Sequence, residues 1–167
     1  MNKKTERLVL LAVSISLAMV LSFVESQIPP LSAVPGVKIG LANIVTLFLL
    51  YKLGCKEAAA VAIVRVLLSS LLFGSFVSLT YSAFGAIASL IVMIPAKRFL
   101  PFSAVGVSVL GALAHNAGQI LAAWIYLGNG AIAYYLIPLS VSGTIAGIAV
   151  GILGGIIAVR VKIKKIR

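Results

Sequence analysis

The sequence predicts an all-α integral membrane protein, a bundle of six transmembrane helices with both termini on the cytoplasmic side. Three observations carry that expectation. Of 167 residues, 62% are hydrophobic and only 10% are charged, with a mean hydropathy of +1.19, whereas a soluble domain carries about 25% charged residues. The apolar residues gather into six runs: Leu8 to Val24, Ile39 to Tyr51, Ala58 to Phe73, Leu79 to Pro95, Phe102 to Tyr126 and Tyr135 to Val159. Finally, the basic residues sort onto alternate connections between those runs.

The first run follows Lys3, Lys4 and Arg7. A basic start and an apolar core also describe a signal peptide, but no small-x-small cleavage pattern appears before Gln27-Ile28-Pro29-Pro30, so the span is read as uncleaved. Within it, Ala12 and Ser16, and Ser14 and Ala18, are small residues spaced four apart. Such spacing lets a second helix approach closely, in this bundle or in another subunit. The next connection, ESQIPPLSAVPGVK, holds three prolines and a glycine. It cannot be one helix and is expected to form an ordered turn or lid.

The second run is short and has Lys38 and Lys52 at its ends, so it must snorkel both lysines or sit within the bundle. The third carries Arg65 at its centre. Eight residues separate Arg65 from Glu57, about 12 Å along a helix, so its charge does not easily reach the membrane surface. Such a cation either pairs with Glu25 or with backbone carbonyls, or lines a cavity and meets an anionic or polar ligand. In the fourth run Tyr81, Ser82, Gly85, Ala86 and Ser89 suit either packing or a cavity wall.

The fifth run contains His115, Asn116 and Gln119, with His115 and Gln119 on one helix face. In lipid such groups must find partners, as interhelical hydrogen bonds or as a pocket wall. Trp124 and Tyr126 close the run as an aromatic belt. The sixth carries Gly143, Gly147, Gly151 and Gly155, a small-residue ridge for close approach of another helix, inside this bundle or on a partner.

Placing the connections alternately on two sides gathers twelve of the fourteen Lys and Arg on one side. By the positive-inside rule that side is cytoplasmic and the number of spans is even. The net charge of +11 is thereby read as a topology signal, not as a nucleic-acid surface. Lys38 and Arg65 are the two cations that escape the sorting. No linker, low-complexity stretch or soluble segment interrupts the pattern, which is read as one transmembrane domain over residues 1–167.

Catalytic chemistry has little to work with. Asp is absent and the acids are Glu6, Glu25 and Glu57, so no paired-aspartate motif can hold magnesium on a diphosphate. His115 has no nucleophile or carboxylate near it in sequence. A phosphate-binding loop of the Gly-x-x-x-x-Gly-Lys-Ser/Thr type is also missing. Cys55, the single cysteine, permits no internal disulfide, and no metal-ligand cluster is visible.

The segments PGVKIGLANIVTLFLLY, RVLLSSLLFGS, YSAFGAIAS and AHNAGQ resemble the membrane family labelled heptaprenyl diphosphate synthase component I, also called the Gx transporter family. That resemblance extends from the first span to about Gly155. The family is in turn similar to the substrate-binding S components of energy-coupling factor transporters, six-helix proteins of about this length. The likeness implies a transmembrane coupling subunit and two cytoplasmic ATPases as partners. It also implies that the small residues of the first span, here Ala12, Ser14, Ser16 and Ala18, contact the coupling subunit, although two of them are Ser where the family pattern favours Ala.

The expected function is therefore a non-enzymatic, multi-pass subunit of the plasma membrane that binds a small anionic or polar molecule for ATP-driven uptake. ATP would be used by the partners, and no cofactor or metal is expected on this chain. Lys38 and Arg65 are expected to meet the ligand's anionic or polar group, and Asn43, His115, Asn116 and Gln119 to hydrogen-bond it. The alternative is a non-catalytic accessory subunit that docks a soluble prenyl diphosphate synthase on the membrane. A secondary transporter acting alone finds no inverted repeat in its favour.

Overall fold

A computed structural model describes residues 2–27 and 40–161. Those residues form six α-helices: α1 (Lys3–Ser26), α2 (Asn43–Lys52), α3 (Cys55–Phe73), α4 (Phe76–Phe99), α5 (Ala104–Leu127) and α6 (Leu136–Arg160), with a short 3-10 turn, Gly130–Tyr135, leading into α6. The starts are set by local chemistry. Asn2, Ser75 and Ser103 each accept a backbone N–H of the first turn through a side-chain oxygen, capping α1, α4 and α5. Gly128, at φ 62°, ends α5 in the left-handed conformation that suits glycine.

The distribution of polarity is that of a membrane protein. Large apolar side chains cover the outside, with Leu71 76% and Val159 80% exposed. Ser69, Ser70, Ser82, Ser89, Ser108, His115, Asn116 and Gln119 lie buried inside. A water-soluble fold could not leave that much apolar surface uncovered, whereas in lipid the polar groups are the ones that need protein around them.

Four helices, α1, α4, α5 and α6, are long and apolar enough to cross a membrane. The third run becomes a helix of 19 residues that carries Lys56, Glu57 and Arg65. The second run differs most from the expectation. Helix α2 has ten residues, about 15 Å at 1.5 Å per residue, half of a hydrocarbon core of about 30 Å. It starts at Asn43, not at Ile39, which lies outside the described residues.

Helix α4 continues through Pro95 to Phe99, beyond the predicted end of the fourth run. Proline near a helix end removes a single i to i−4 bond, here to the Ile91 carbonyl, which the bundle tolerates.

The tightest packing joins α4 to α5 and α5 to α6. Small residues make it so. A Cβ at Gly147 would lie 2.8 Å from Val109 Cα, and one at Gly151 2.6 Å from Val105 Cα, both on α5. The glycine ridge of α6 is thus spent on contact within the chain. Gly154, on the adjoining face, seats Leu47 of α2.

Two contacts align the helix ends. Arg7 pairs with Glu57, which sets the start of α1 beside the start of α3. The Lys97 ammonium donates to the Leu50 carbonyl and stands 5.0 Å from the Tyr51 ring centroid, which sets the end of α4 against the end of α2. A cation on the last carbonyls of α2 also complements the helix dipole. Since Gly155 of α6 meets Ala104 at the start of α5, the described residues begin and end at this one basic end of the bundle.

Candidate functional site

The half-length of α2 decides the site. Its last turn is at the basic end, so its first turn, with Asn43, lies at mid-depth in the bundle. The N–H groups of Asn43, Ile44 and Val45 already donate to the Gly40, Leu41 and Ala42 carbonyls, so what this start presents is the positive end of the helix dipole. Inside a membrane such irregular backbone is tolerated only where protein or a cavity surrounds it. Here the backbone N–H of Gly40 donates to a carboxylate oxygen of Glu25, which reaches in from the last turn of α1. Gly40 has φ 89°, and a Cβ on it would lie 2.9 Å from the Asn43 amide nitrogen. The positive φ is what calls for glycine, since the Asn43 amide is the movable end of a side chain.

Arg65 reaches the same place from the middle of α3. Its Nη2 donates to Asn43 Oδ1 at 3.4 Å, a long hydrogen bond, and Glu25 acts on the guanidinium as a favourable counter-charge. Arg65 is 7% and Glu25 5% exposed. The Arg65 Nε has no hydrogen-bond partner among the described residues. A guanidinium carries five donors, so this one retains capacity for another acceptor. Of the roles open to Arg65 from sequence, the structure supplies Glu25 as an electrostatic counter-charge, while the guanidinium's direct contact is to Asn43.

Asn43 connects this cluster to the other half of the bundle. Together with Gly40 it lines a slit of about 10 Å³ whose far wall includes Ser89 of α4, Ser108 and Gly111 of α5, and Gly147 of α6. That volume is near the lower limit for one water molecule. His115 lies one turn along α5 from Gly111, packed on Gly85 of α4, where an added Cβ would come within 2.7 Å of the imidazole. Gln119 lies a further turn along the same face and is buried.

Asn116 points elsewhere. Its amide nitrogen donates to the Leu139 carbonyl of α6 at 2.6 Å and takes the space left by Gly143. The HNAGQ run is therefore divided: His115 and Gln119 look toward α4, while Asn116 ties α5 to α6. Lys38 lies outside the described residues. In α1, Ser14 and Ala18 are buried in this chain, while Ala12 and Ser16 are exposed among Leu8, Val9, Val13 and Leu17. Only the second pair is open to a partner. Its Ser16 hydroxyl donates back to the Ala12 carbonyl, leaving that stripe without a free polar hydrogen.

Two members of the cluster were not anticipated as site residues. Glu25 had a signal: it is one of three acids and lies at the far end of the first span, while Arg65 required a counter-charge. Gly40 had none beyond being a glycine, because its role depends on where α2 begins.

An apolar exterior, a polar interior and a helix that starts at mid-depth define a polytopic helical membrane protein with a buried charged cluster. The chain matches the family described as heptaprenyl diphosphate synthase component I over residues 14–157, and it belongs to that family. No curated protein and no solved structure matches it.

Proposed function

We propose that this chain is the ligand-binding membrane subunit of an ATP-driven uptake system, similar to an S component, for a small anionic or polar molecule. The observation that carries this reading is the start of α2 at mid-depth beside Arg65. Broken helices whose N-termini point into a bundle recur where membrane transporters bind substrates, because the positive end of the dipole attracts anionic groups. Arg65 and Asn43 supply a cation and an amide at that point. His115 and Gln119 add a polar face one to two turns away on α5. Lys38, by sequence only four residues before Ala42, is proposed as a second cation.

In this reading the basic end faces the cytoplasm of a plasma-membrane protein, by the positive-inside rule. The exposed stripe of α1 with Ala12 and Ser16 meets the coupling subunit, and the partner ATPases use the ATP. The chain itself performs no catalysis, since it lacks the aspartates that prenyl diphosphate chemistry uses to hold magnesium.

The family description favours a second reading, a non-catalytic membrane subunit associated with a prenyl diphosphate synthase. Affinity purification from its native membrane separates the two. Recovery of a coupling subunit and ATPases supports the transporter; recovery of a soluble synthase without any ATPase overturns it. Mass spectrometry of small molecules carried through that purification identifies the ligand, and Arg65→Ala is expected to abolish its retention.

A further inference from the structure

Helices α3 and α4 enclose a second feature, which the proposed ligand site does not use. Between them runs an apolar groove of about 550 Å³, open to the membrane, with walls that include Ile63, Val66 and Leu67 of α3 and Ala83, Ile91 and Pro95 of α4. Along α4 it extends from Ala83 to Pro95, about 18 Å at 1.5 Å per residue. Small Ala83 and Ala86 make room in it, and no charged residue lines it.

The ends of the groove differ. At the basic end, Lys56 precedes Ile63 by seven residues and Leu67 by eleven, so it stands on the same stripe of α3. Arg98 comes seven residues after Ile91 and four after Ile94, so it continues the same stripe of α4. Both side chains are exposed. The other cation near this end of α4, Lys97, is turned away onto the Leu50 carbonyl, and Arg65 is on the opposite face of α3 from Lys56. At the other end the helices finish in Phe73, Gly74, Ser75 and Phe76, with no charge.

We infer that this groove is a binding site for an anionic bilayer phospholipid, with one acyl chain lying between α3 and α4 and the phosphate held by Lys56 and Arg98. An apolar channel alone would take any lipid chain. Two cations at one mouth make the choice of head group, as basic pockets between transmembrane helices do at a membrane surface. Arginine supplies a forked donor for phosphate oxygens and lysine a point charge.

The test reconstitutes the full chain in nanodiscs of phosphatidylcholine with about 20% phosphatidylglycerol and reads retained lipid by native mass spectrometry. The wild type is expected to retain one phosphatidylglycerol per chain, enriched roughly threefold or more over its share of the bilayer. Lys56→Gln with Arg98→Gln is expected to reduce that enrichment to nearly one at unchanged Tm. The charge-matched control Lys4→Gln with Arg160→Gln, at the same end but off the groove, should leave it intact. Ala83→Phe, which fills the groove, should lower retention of both lipids.

Retention of the two lipids by the wild type in the proportion of the bilayer would overturn the assignment, as would an equal loss in the control variant, which would mark a diffuse charge effect. Tighter retention of an added prenyl diphosphate than of phosphatidylglycerol, dependent on Lys56 and Arg98, would replace the proposed occupant and overturn it too.

Discussion

Replacing Arg65 by Met removes the cation from a cluster in which Glu25 is 5% exposed and Asn43 lies at the start of α2. The cost depends on which partners the carboxylate keeps. Breaking a buried ion pair by removing one partner typically costs about 3–5 kcal/mol, because the remaining charge is uncompensated. Arg65 makes its direct contact to Asn43, and Glu25 keeps the Gly40 N–H and a further interaction, so a smaller loss, about 1–2 kcal/mol, is expected. Adding Glu25→Gln removes the carboxylate charge while leaving an amide oxygen for Gly40. The double variant should therefore recover part of the loss, with a coupling of about 1 kcal/mol between the two positions. Thermal unfolding of all four proteins in one detergent, measured by circular dichroism, completes the cycle. An Arg65→Met cost below about 0.5 kcal/mol, or strictly additive losses, would refute the electrostatic link between α1 and α3.

Other expectations rest on particular contacts. Gly147→Leu places a side chain against the Val109 backbone and should lower stability by at least the roughly 1–3 kcal/mol of an overpacked core, whereas Gly155→Ala, whose Cβ would stand 3.3 Å from that of Ala104, should unfold within a few degrees of wild type. Asn116→Leu strips the Leu139 carbonyl of one donor while Ser142 Oγ remains at 3.2 Å; a loss of about 0.6–2 kcal/mol is expected, read as a shift in Tm. Arg7→Ala leaves a Glu57 side chain that is only 9% exposed without its cation and should cost about 1–3 kcal/mol; no measurable loss would show that this pair does not fix α1 in place. Lys97→Met frees the last carbonyls of α2 and should speed amide exchange at Lys52 and Leu53 more than elsewhere.

Much of this protein is legible in the order of its residues. Composition alone required a membrane, because no water-soluble core can absorb so many apolar residues with so few charges to cover them. The apolar runs located all six helices, the described boundaries differing from the runs by at most five residues, since helix boundaries here coincide with Ser, Asn, Gly and Lys at the ends. Arg65 was conspicuous because a charge at mid-span has so few tolerable environments. The glycine ridge announced close packing, although its period is equally good for a partner helix.

What the sequence could not settle is a matter of depth and rotation. Ile39 to Tyr51 reads as one apolar run interrupted only by Asn43 and Thr46, yet the described helix is Asn43–Lys52; hydropathy sets no start for a helix when the residues before it are apolar too. Likewise His115, Asn116 and Gln119 are near neighbours along the chain, but rotation about the helix axis by about 100° per residue gives Asn116 to α6 and the other two to the side of α4. Placing Glu25, from α1, beside Arg65, from α3, required the tilt and contact of helices that share no local sequence. Residue pattern thus determined the class of protein and the element that had to be explained, Arg65. Tertiary packing alone decided its partners, because which groups meet in a bundle depends on helix length, rotation and register, and those are set by side chains that interlock across the chain.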